Sequence, residues 1–345
     1  LSKNKESAMK LNSGKLPPSI LKEVVYKHLG AYSSRVLLGP SIGEDAAVID
    51  MGEKVLVVHT DPITGAVENI GLLAVYVSTN DIATRGALPL WLSLAILLPE
   101  DATKELLEGI VSQIDQTAKE VGVSVVGGHT EVTLGLKRPI VVSTAFGEAR
   151  KESYVTSSGA KPGDLIILTK SAAIEGTSIL ANELEAKLKE KVGEDIVKKA
   201  KSYIKLISVV KEALIASSTG FVDAMHDPTE SGVLGAVQEL CYASKVGARI
   251  YEAKVPISYE TKKICEALGI DPLKTISSGA LLIAVKKEGA EEVVKAIEKV
   301  GIRATIIGEF TKENNIEVVR KSGIERITEP VQEELWKVLR EKTIF

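Results

Sequence analysis

The sequence predicts an α/β (α+β) chain folded as two domains. Strand-like and helix-like segments alternate through both halves, which favours mixed layers over an all-α or all-β design. At 345 residues the chain is long for a single hydrophobic core. The stretch from Arg150 to Gly163 then interrupts the alternation with charges, Ser157-Ser158-Gly159 and Pro162-Gly163. This divides the chain into residues 1–155 and 156–345.

In chain order, Pro17-Pro18 followed by SILKEVVYKHLG predicts a short helix ending at Gly30. Ala46 to Ile49 and Lys54 to His59 predict strands joined through Met51-Gly52. Gly71 to Arg85 reads as a helix, with Leu72, Val75, Thr79 and Ile82 at helical spacing, and Trp91 to Leu98 as a mostly apolar strand. Ala102 to Val121 is an amphipathic helix on Leu106, Ile110, Ile114 and Ala118. Val123 to Val126 predicts a strand, Gly127-Gly128 a turn, and Pro139 to Gly147 another strand. In the second half, Leu165 to Thr169, Ala280 to Val285, Ala304 to Phe310 and Ile316 to Val319 read as strands. Helices are expected over Ala173 to Lys201, broken near Gly193, and over Ser231 to Ser244, Gly289 to Val300 and Glu329 to Lys342. The basic stretch Lys187 to Lys201 alternates with acids and reads as a solvated helix face.

Composition narrows the function classes. Hydrophobic residues make up 45% of the chain and the net charge is −3. Mean hydropathy is +0.13 and the pI about 6.0. No face-wide basic excess points to nucleic acid or a membrane surface. The longest apolar run, Ala87 to Leu98, is too short for a bilayer and contains Pro89. Cys241 and Cys265 have no metal-ligand spacing and lie in apolar helical patterns, so a core role and a reducing, cytoplasmic compartment are expected. The N-terminus has no secretory core; Leu1 to Ala8 precede Met9 and read as a leader. Ion-rich helices with few glutamines point to a thermophilic source.

The chemistry-bearing residues cluster after apolar runs. His59 stands near Asp61, His129 near Glu131 and His226 beside Asp227. Ligands collect at strand ends in α/β folds, and a charge beside a core needs a partner. Gly43-Glu44-Asp45 offers adjacent acids where a glycine lets backbone approach a ligand; a solvated turn is the plain alternative. His59 and Asp61 share a strand face, or Asp61 merely caps the next turn. Asp81 lies among Val77, Ile82 and Ala83, where a carboxylate needs either a cation or an i,i+4 pair with Arg85. Gly127-Gly128-His129-Thr130-Glu131 exposes N–H groups suited to phosphate and an acid suited to metal or nucleophile, or is a plain hairpin. Thr229 in HDPTESG reads as a helix N-cap, and that helix start also suits phosphate. Together Asp45, Asp61, Asp81, Glu131 and Asp227 favour Mg²⁺ with a nucleotide over zinc, because no histidine pair has ligand spacing. A metal-dependent hydrolase is the weaker reading of the same His–carboxylate pairs.

The ordered set GEDAAVID (43–50), HTDPIT (59–64), NDIATRGALPLWLS (80–93), GGHTE (127–131), HDPTESGVLGAV (226–237) and GIDPLKTISSGALLIAV (269–285) resembles the AIR synthase-like (PurM-like) ATP-binding superfamily, nearest to its hydrogenase-maturation HypE branch. The similarity runs from about Lys15 to Phe310. It implies an N-terminal ATP/Mg-binding and dimerisation domain (1–155) and a C-terminal α/β domain (156–345), with the N-terminal sheets of a homodimer forming a shared β-barrel. It further implies ATP at the dimer cleft. Mg²⁺ would be held by Asp45, Asp61, Asp81 and Asp227, and the nucleotide would also be met by Gly127, Gly128, His129 and Thr229. Asp61, Asp81 and Glu131 are the implied catalytic residues, with the histidines in positioning roles. HypE phosphorylates a carbamoyl-thioester amide oxygen and carries its reactive cysteine at the C-terminal end. The present sequence finishes Glu341-Lys342-Thr343-Ile344-Phe345, so the acceptor stays open. Three readings remain compatible: a HypE-like enzyme, alone or with another maturation protein; a small-molecule kinase related to thiamine-phosphate kinase; and a non-catalytic ATP-binding scaffold. The sequence also leaves open whether residues 11–40 close over the nucleotide; Lys15 reads as a solvated lysine.

Overall fold

The computed structural model describes residues 11, 16–64 and 68–342, with the side chains of 340–342 set aside; Met9 and Lys15 lie outside the described residues. A turn of helix α1 (Pro18–Ile20) widens over Leu21–Val25 and stops well short of the expected Gly30. Strands β1 (Val36–Leu38), β2 (Ala47–Asp50) and β3 (Lys54–Ile63) precede helix α2 (Ile70–Ala83). Strand β4 (Leu88–Leu98), helix α3 (Lys104–Val121), and strands β5 (Ser124–Val132) and β6 (Ile140–Arg150) complete the first half. Their sheet has the order β1-β2-β3-β6-β4-β5, antiparallel except for the β4/β5 pair.

The second half opens with β7 (Leu165–Thr169), then α4 (Ile174–Glu183), α5 (Glu185–Val192), α6 (Glu194–Lys201) and α7 (Val210–Ser218). It continues through β8 (Val222–His226), α8 (Gly232–Ser244), β9 (Gly247–Tyr251), α9 (Tyr259–Leu268), β10 (Leu282–Val285) and α10 (Ala290–Glu298). Strands β11 (Ala304–Thr311), β12 (Ile316–Arg320) and β13 (Gly323–Ile327) and helix α11 (Leu335–Lys342) close the chain. The second sheet runs β13-β12-β9-β11-β7-β10-β8. No helix among the described residues is long and apolar enough to cross a membrane.

Helices α2 and α3 cover one face of the first sheet, packing Ile70, Ala74, Val75, Ile110 and Ile114 on Val48, Val55, Val57 and Leu92. The other face carries Leu56, Val58, Leu97, Val142 and Phe146 half-buried, and Trp91 exposed. Helix α2 forms over the stretch its spacing predicted. It is apolar around its whole circumference, the pattern of an enclosed helix. Its second side packs Leu73, Tyr76 and Val77 against Ile174, Tyr203 and Ile207 of the other half. Asn80 secures that junction, donating to the Ile207 carbonyl at 2.9 Å and accepting from the Val209 N–H at 2.8 Å.

Four further expectations are corrected. Gly127-Gly128 is no turn: both residues lie inside β5, where Gly128 faces Leu94 so closely that a Cβ would collide with the Leu94 carbonyl oxygen. Strand β3 does not end at His59 but continues through Asp61 to Ile63, paired residue for residue with β6. The helical stretch to Lys201 breaks near Gly193, as expected, but also at Leu184, and its Lys187–Lys201 part is not simply solvated: Leu188, Val197 and Ala200 are buried against α9 and α11. The closing helix starts at Leu335 rather than Glu329.

Candidate functional site

Strand β3, the C-terminal turn of α2 and the end of β8 bring carboxylates from both halves together. Asp45 precedes β2, Asp81 lies in the last turn of α2, and Asp227 directly follows β8. Asp45, His226 and Asp227 each offer a ligand atom within 4.8 Å of the others. Asp81 is close enough to press on Asp227 electrostatically. Asp227 is 1% exposed, and neither of its carboxylate oxygens has a hydrogen-bond partner. Burial and the charges of Asp81 and Asp45 push its carboxyl well above the usual range. A divalent cation would relieve that crowding, and an all-oxygen donor set suits Mg²⁺.

Two cationic clamps shape Asp45. Arg85, fully buried, reaches Asp45 Oδ2 at 2.9 Å and also donates to Glu44, to Ser157 Oγ at 2.7 Å and to the Met225 carbonyl at 3.1 Å. Arg85 therefore does not form the i,i+4 pair with Asp81 that the sequence allowed. His226 meets Asp45 Oδ2 through Nδ1 at 2.8 Å and Glu239 Oε2 through Nε2 at 2.7 Å. Burial alone would lower the His226 imidazole's affinity for protons, but the two carboxylates hold it well above the usual histidine range. Burial raises the Asp45 carboxyl, yet His226, Arg85 and His59 outweigh it and keep Asp45 ionised. With both ring nitrogens engaged, His226 is a positioning group, and the open oxygens belong to the aspartates.

His59 does the same for Asp81. Its Nε2 stands 2.9 Å from Asp81 Oδ2, an ion-pair approach without hydrogen-bond alignment, and its Nδ1 meets the Asp45 carbonyl. Burial lowers its pKa, but Asp81, Asp61 and the Asp45 carbonyl lift it to about 10. Asp61, two residues on along β3, shares that strand face, as expected, and its charge reaches His59.

The other expected residues lie elsewhere. Gly127, Gly128, His129 and Glu131 are exposed on β5, separated from β3 by β6 and β4. Three strand spacings make about 14 Å, so one chain does not unite Glu131 with Asp61. His129 Nε2 pairs with Glu131 Oε2 at 3.0 Å, and Thr133 donates to Glu131 Oε1 at 2.8 Å. Thr229 is not a side-chain N-cap: helix α8 begins after Ser231 in the left-handed region, with no side-chain cap. The Thr229 carbonyl accepts from Gly232 N–H, and Ser231 N–H donates to Glu333 at 2.6 Å. Glu333 thus takes the place at this helix start that the sequence offered to phosphate. In the stretch before β1, Lys22 reaches the Tyr242 hydroxyl on α8. Sequence reasoning gave Arg85 the wrong partner and missed Glu239 and Glu175. Glu175 is 7% exposed and its Oε2 has no hydrogen-bond partner. A charged residue inside or beside an apolar helix was the available signal for each.

Models of the AIR synthase related protein N-terminal and C-terminal domains match residues 43–149 and 161–321. A Methanocaldococcus jannaschii protein named for hydrogenase expression/formation is 33% identical over 308 residues, 87% of this chain and 89% of the relative. The carbamoyl dehydratase HypE of Rhizobium leguminosarum bv. viciae is 32% identical over 267 residues, 76% of this chain and 74% of that protein. Among solved structures, the HypE–HypF complex aligns with TM-score 0.75 at 25% identity, covering 90% of this chain and all (100%) of the other. A HypE in complex with ATP shares the fold at TM-score 0.71 and 21% identity, covering 94% and 97% of the two chains.

Proposed function

Because this chain belongs to the AIR synthase-related family, with HypE-type hydrogenase maturation proteins among its relatives, we propose that it is a cytoplasmic Mg-ATP-dependent enzyme that activates an amide or carbonyl oxygen by phosphoryl transfer. The observation carrying this is the crowding of Asp45, Asp81 and Asp227, with both Asp227 oxygens buried and unpartnered. Asp45, Asp81 and Asp227 would hold the ion, with Asp61 beside them on β3. Bound Mg²⁺ supplies charge neutralisation on the transferring phosphoryl group. Arg85 and His226 fix Asp45, while His59 fixes Asp81, so the carboxylates are preorganised before nucleotide arrives.

The same reading takes the chain as a homodimer. The half-exposed sheet face and exposed β5, with Val126 60% and Val132 59% exposed, support a partner there. Gly127, Gly128, His129 and Glu131 would then act across the dimer cleft toward the other copy's carboxylates. A maturation partner is consistent with the HypE–HypF complex, and a carbamoyl-type acceptor with the HypE relatives. Isothermal titration with Mg-ATP tests the site. Binding to the wild type and its loss in Asp81→Asn are expected; no wild-type binding at millimolar nucleotide would overturn the proposal.

A further inference from the structure

A cavity of about 670 Å³ lies between the segment before β2 and the C-terminal half of α8. Lys22 and Tyr26 form one wall, and Ser41 and Ile42 of the loop before β2 form another. The β12–β13 hairpin closes it with Ile316 and Ile327. None of Asp45, Asp61, Asp81 and Asp227 lines it. Helix α8 divides the two places: Glu239 turns to His226 at 2.7 Å, whereas Gln238, Cys241 and Tyr242 line the cavity. Gly43 lets the 41–43 loop rest on α8. It has φ +83°, and a Cβ there would stand 3.2 Å from both the Glu239 carbonyl oxygen and the Ala243 side chain.

The lining has a consistent chemistry. Two ammonium groups, Lys22 and Lys245, border the cavity, and among the described residues no carboxylate does. That bias is local, because the whole chain carries a net charge of −3. Lys22 has a phenol for its partner: Nζ stands 2.5 Å from the Tyr242 hydroxyl and 5.2 Å from the centre of the same ring. A hydroxyl and a ring face hold an ammonium in place without neutralising it. Cys241 adds no charge, since burial pushes its thiol up to about 12. Tyr26 and Tyr242 contribute aromatic surface, and Ile42, Val246 and Ile316 contribute aliphatic surface. A metal ion would be repelled by the lysines and would find no acid. A bare inorganic anion would leave the aromatic and aliphatic walls uncovered, and an uncharged apolar molecule would strip water from the ammonium groups. A flat ring that carries an anionic group satisfies both kinds of wall, in a cavity of the size that small organic ligands occupy.

We propose that this cavity is a second ligand site, which takes a phosphomonoester of a flat heteroaromatic body, the nucleoside monophosphate class. The phosphate meets Lys22 and Lys245, and the ring lies against Tyr26, Tyr242 and the aliphatic wall. The site needs no divalent ion and does not depend on the Mg-ATP reading.

Isothermal titration of the full chain in EDTA tests this. The probes are adenosine and uridine monophosphates, with uridine and ribose phosphate as halves of the ligand. The proteins are wild type, Lys22→Gln, Lys245→Asn and Asp81→Asn. Both lysines are exposed, and asparagine tolerates the left-handed conformation of Lys245 (φ +57°), so the two variants keep the fold, which thermal melts verify. Saturable binding of at least one monophosphate is expected, about tenfold weaker in each lysine variant and unchanged in Asp81→Asn. Uridine and ribose phosphate should each bind at least about tenfold more weakly than the monophosphate. No saturable binding of either monophosphate up to about 10 mM would overturn the assignment. So would affinity unchanged in both lysine variants, or ribose phosphate binding as tightly as the nucleotides. Loss of binding in Asp81→Asn would overturn it too, by assigning the nucleotide to the carboxylate centre.

Discussion

Arg85 gives its guanidinium to Glu44, Asp45, Ser157 and the Met225 carbonyl while lying fully out of solvent. A neutral replacement leaves Glu44 buried without its cation and takes from Asp45 one of its two clamps. Arg85→Met should therefore cost roughly 3–5 kcal/mol in denaturant unfolding, more than a surface ion pair would. Glu175 works in the opposite sense. Its folded pKa of about 7 lies above the ordinary 4.5, so the protonated form is the one folding favours. The stability it contributes is full below pH 4.5 and is lost as pH rises through about 7. Glu175→Gln should accordingly be more stable than wild type at pH 8, by up to about 3 kcal/mol, with the gain shrinking toward pH 5 in parallel melts. At this scale the sequence was informative about the acids and silent about their partners. Asp45, Asp81 and Asp227 stood out as charges beside apolar runs. Arg85 meets Glu44 and Met225 across 41 and 140 positions, which no local pattern encodes.

Among the elements, the central strands and the long helix α3 follow directly from alternation and four-residue spacing. Strand β1 escaped because three residues carry too little pattern. Strand β5 misled for a physical reason: paired glycines ordinarily mark a turn, but here Gly128 allows β5 to lie against β4 with φ +150° and no Cβ. Gly128→Ala drives a methyl into the Leu94 carbonyl oxygen and should separate the strands, destabilising the domain by about 2 kcal/mol or more in urea titrations. An unchanged midpoint would mean that β5 shifts without cost. The break expected near Gly193 separates α5 from α6, while the further break at Leu184 and the buried Leu188 and Val197 were hidden by charge alternation.

At the scale of the molecule, α2 is held between the first sheet and the α4 and 203–207 segments of the other half, and the carboxylate centre forms where the halves meet. The two-part division was legible from the break between Arg150 and Gly163; the interlocking was not, because Asn80 and Arg85 join segments far apart in sequence. The proposed dimer can be tested apart from the chemistry. Val126→Glu puts a charge on the exposed edge strand, outside either core. Sedimentation should show a dimer for the wild type and a folded monomer for the variant, melting cooperatively but lower because association no longer stabilises it. A monomeric wild type would confine Glu131 to a surface role.

Helix α2 is bounded on one side by the first sheet and on the other by the second half, and every one of its residues but Leu72 is buried. A substitution there must satisfy two cores at once, and near its end the carboxylate centre as well. Such a segment has little freedom to drift, while the exposed β5 edge and the charged helices α5 and α6 answer to fewer neighbours. Enclosure on both sides thus ties the carboxylate of Asp81 to the packing of both halves, so that a change in either core is felt at the centre.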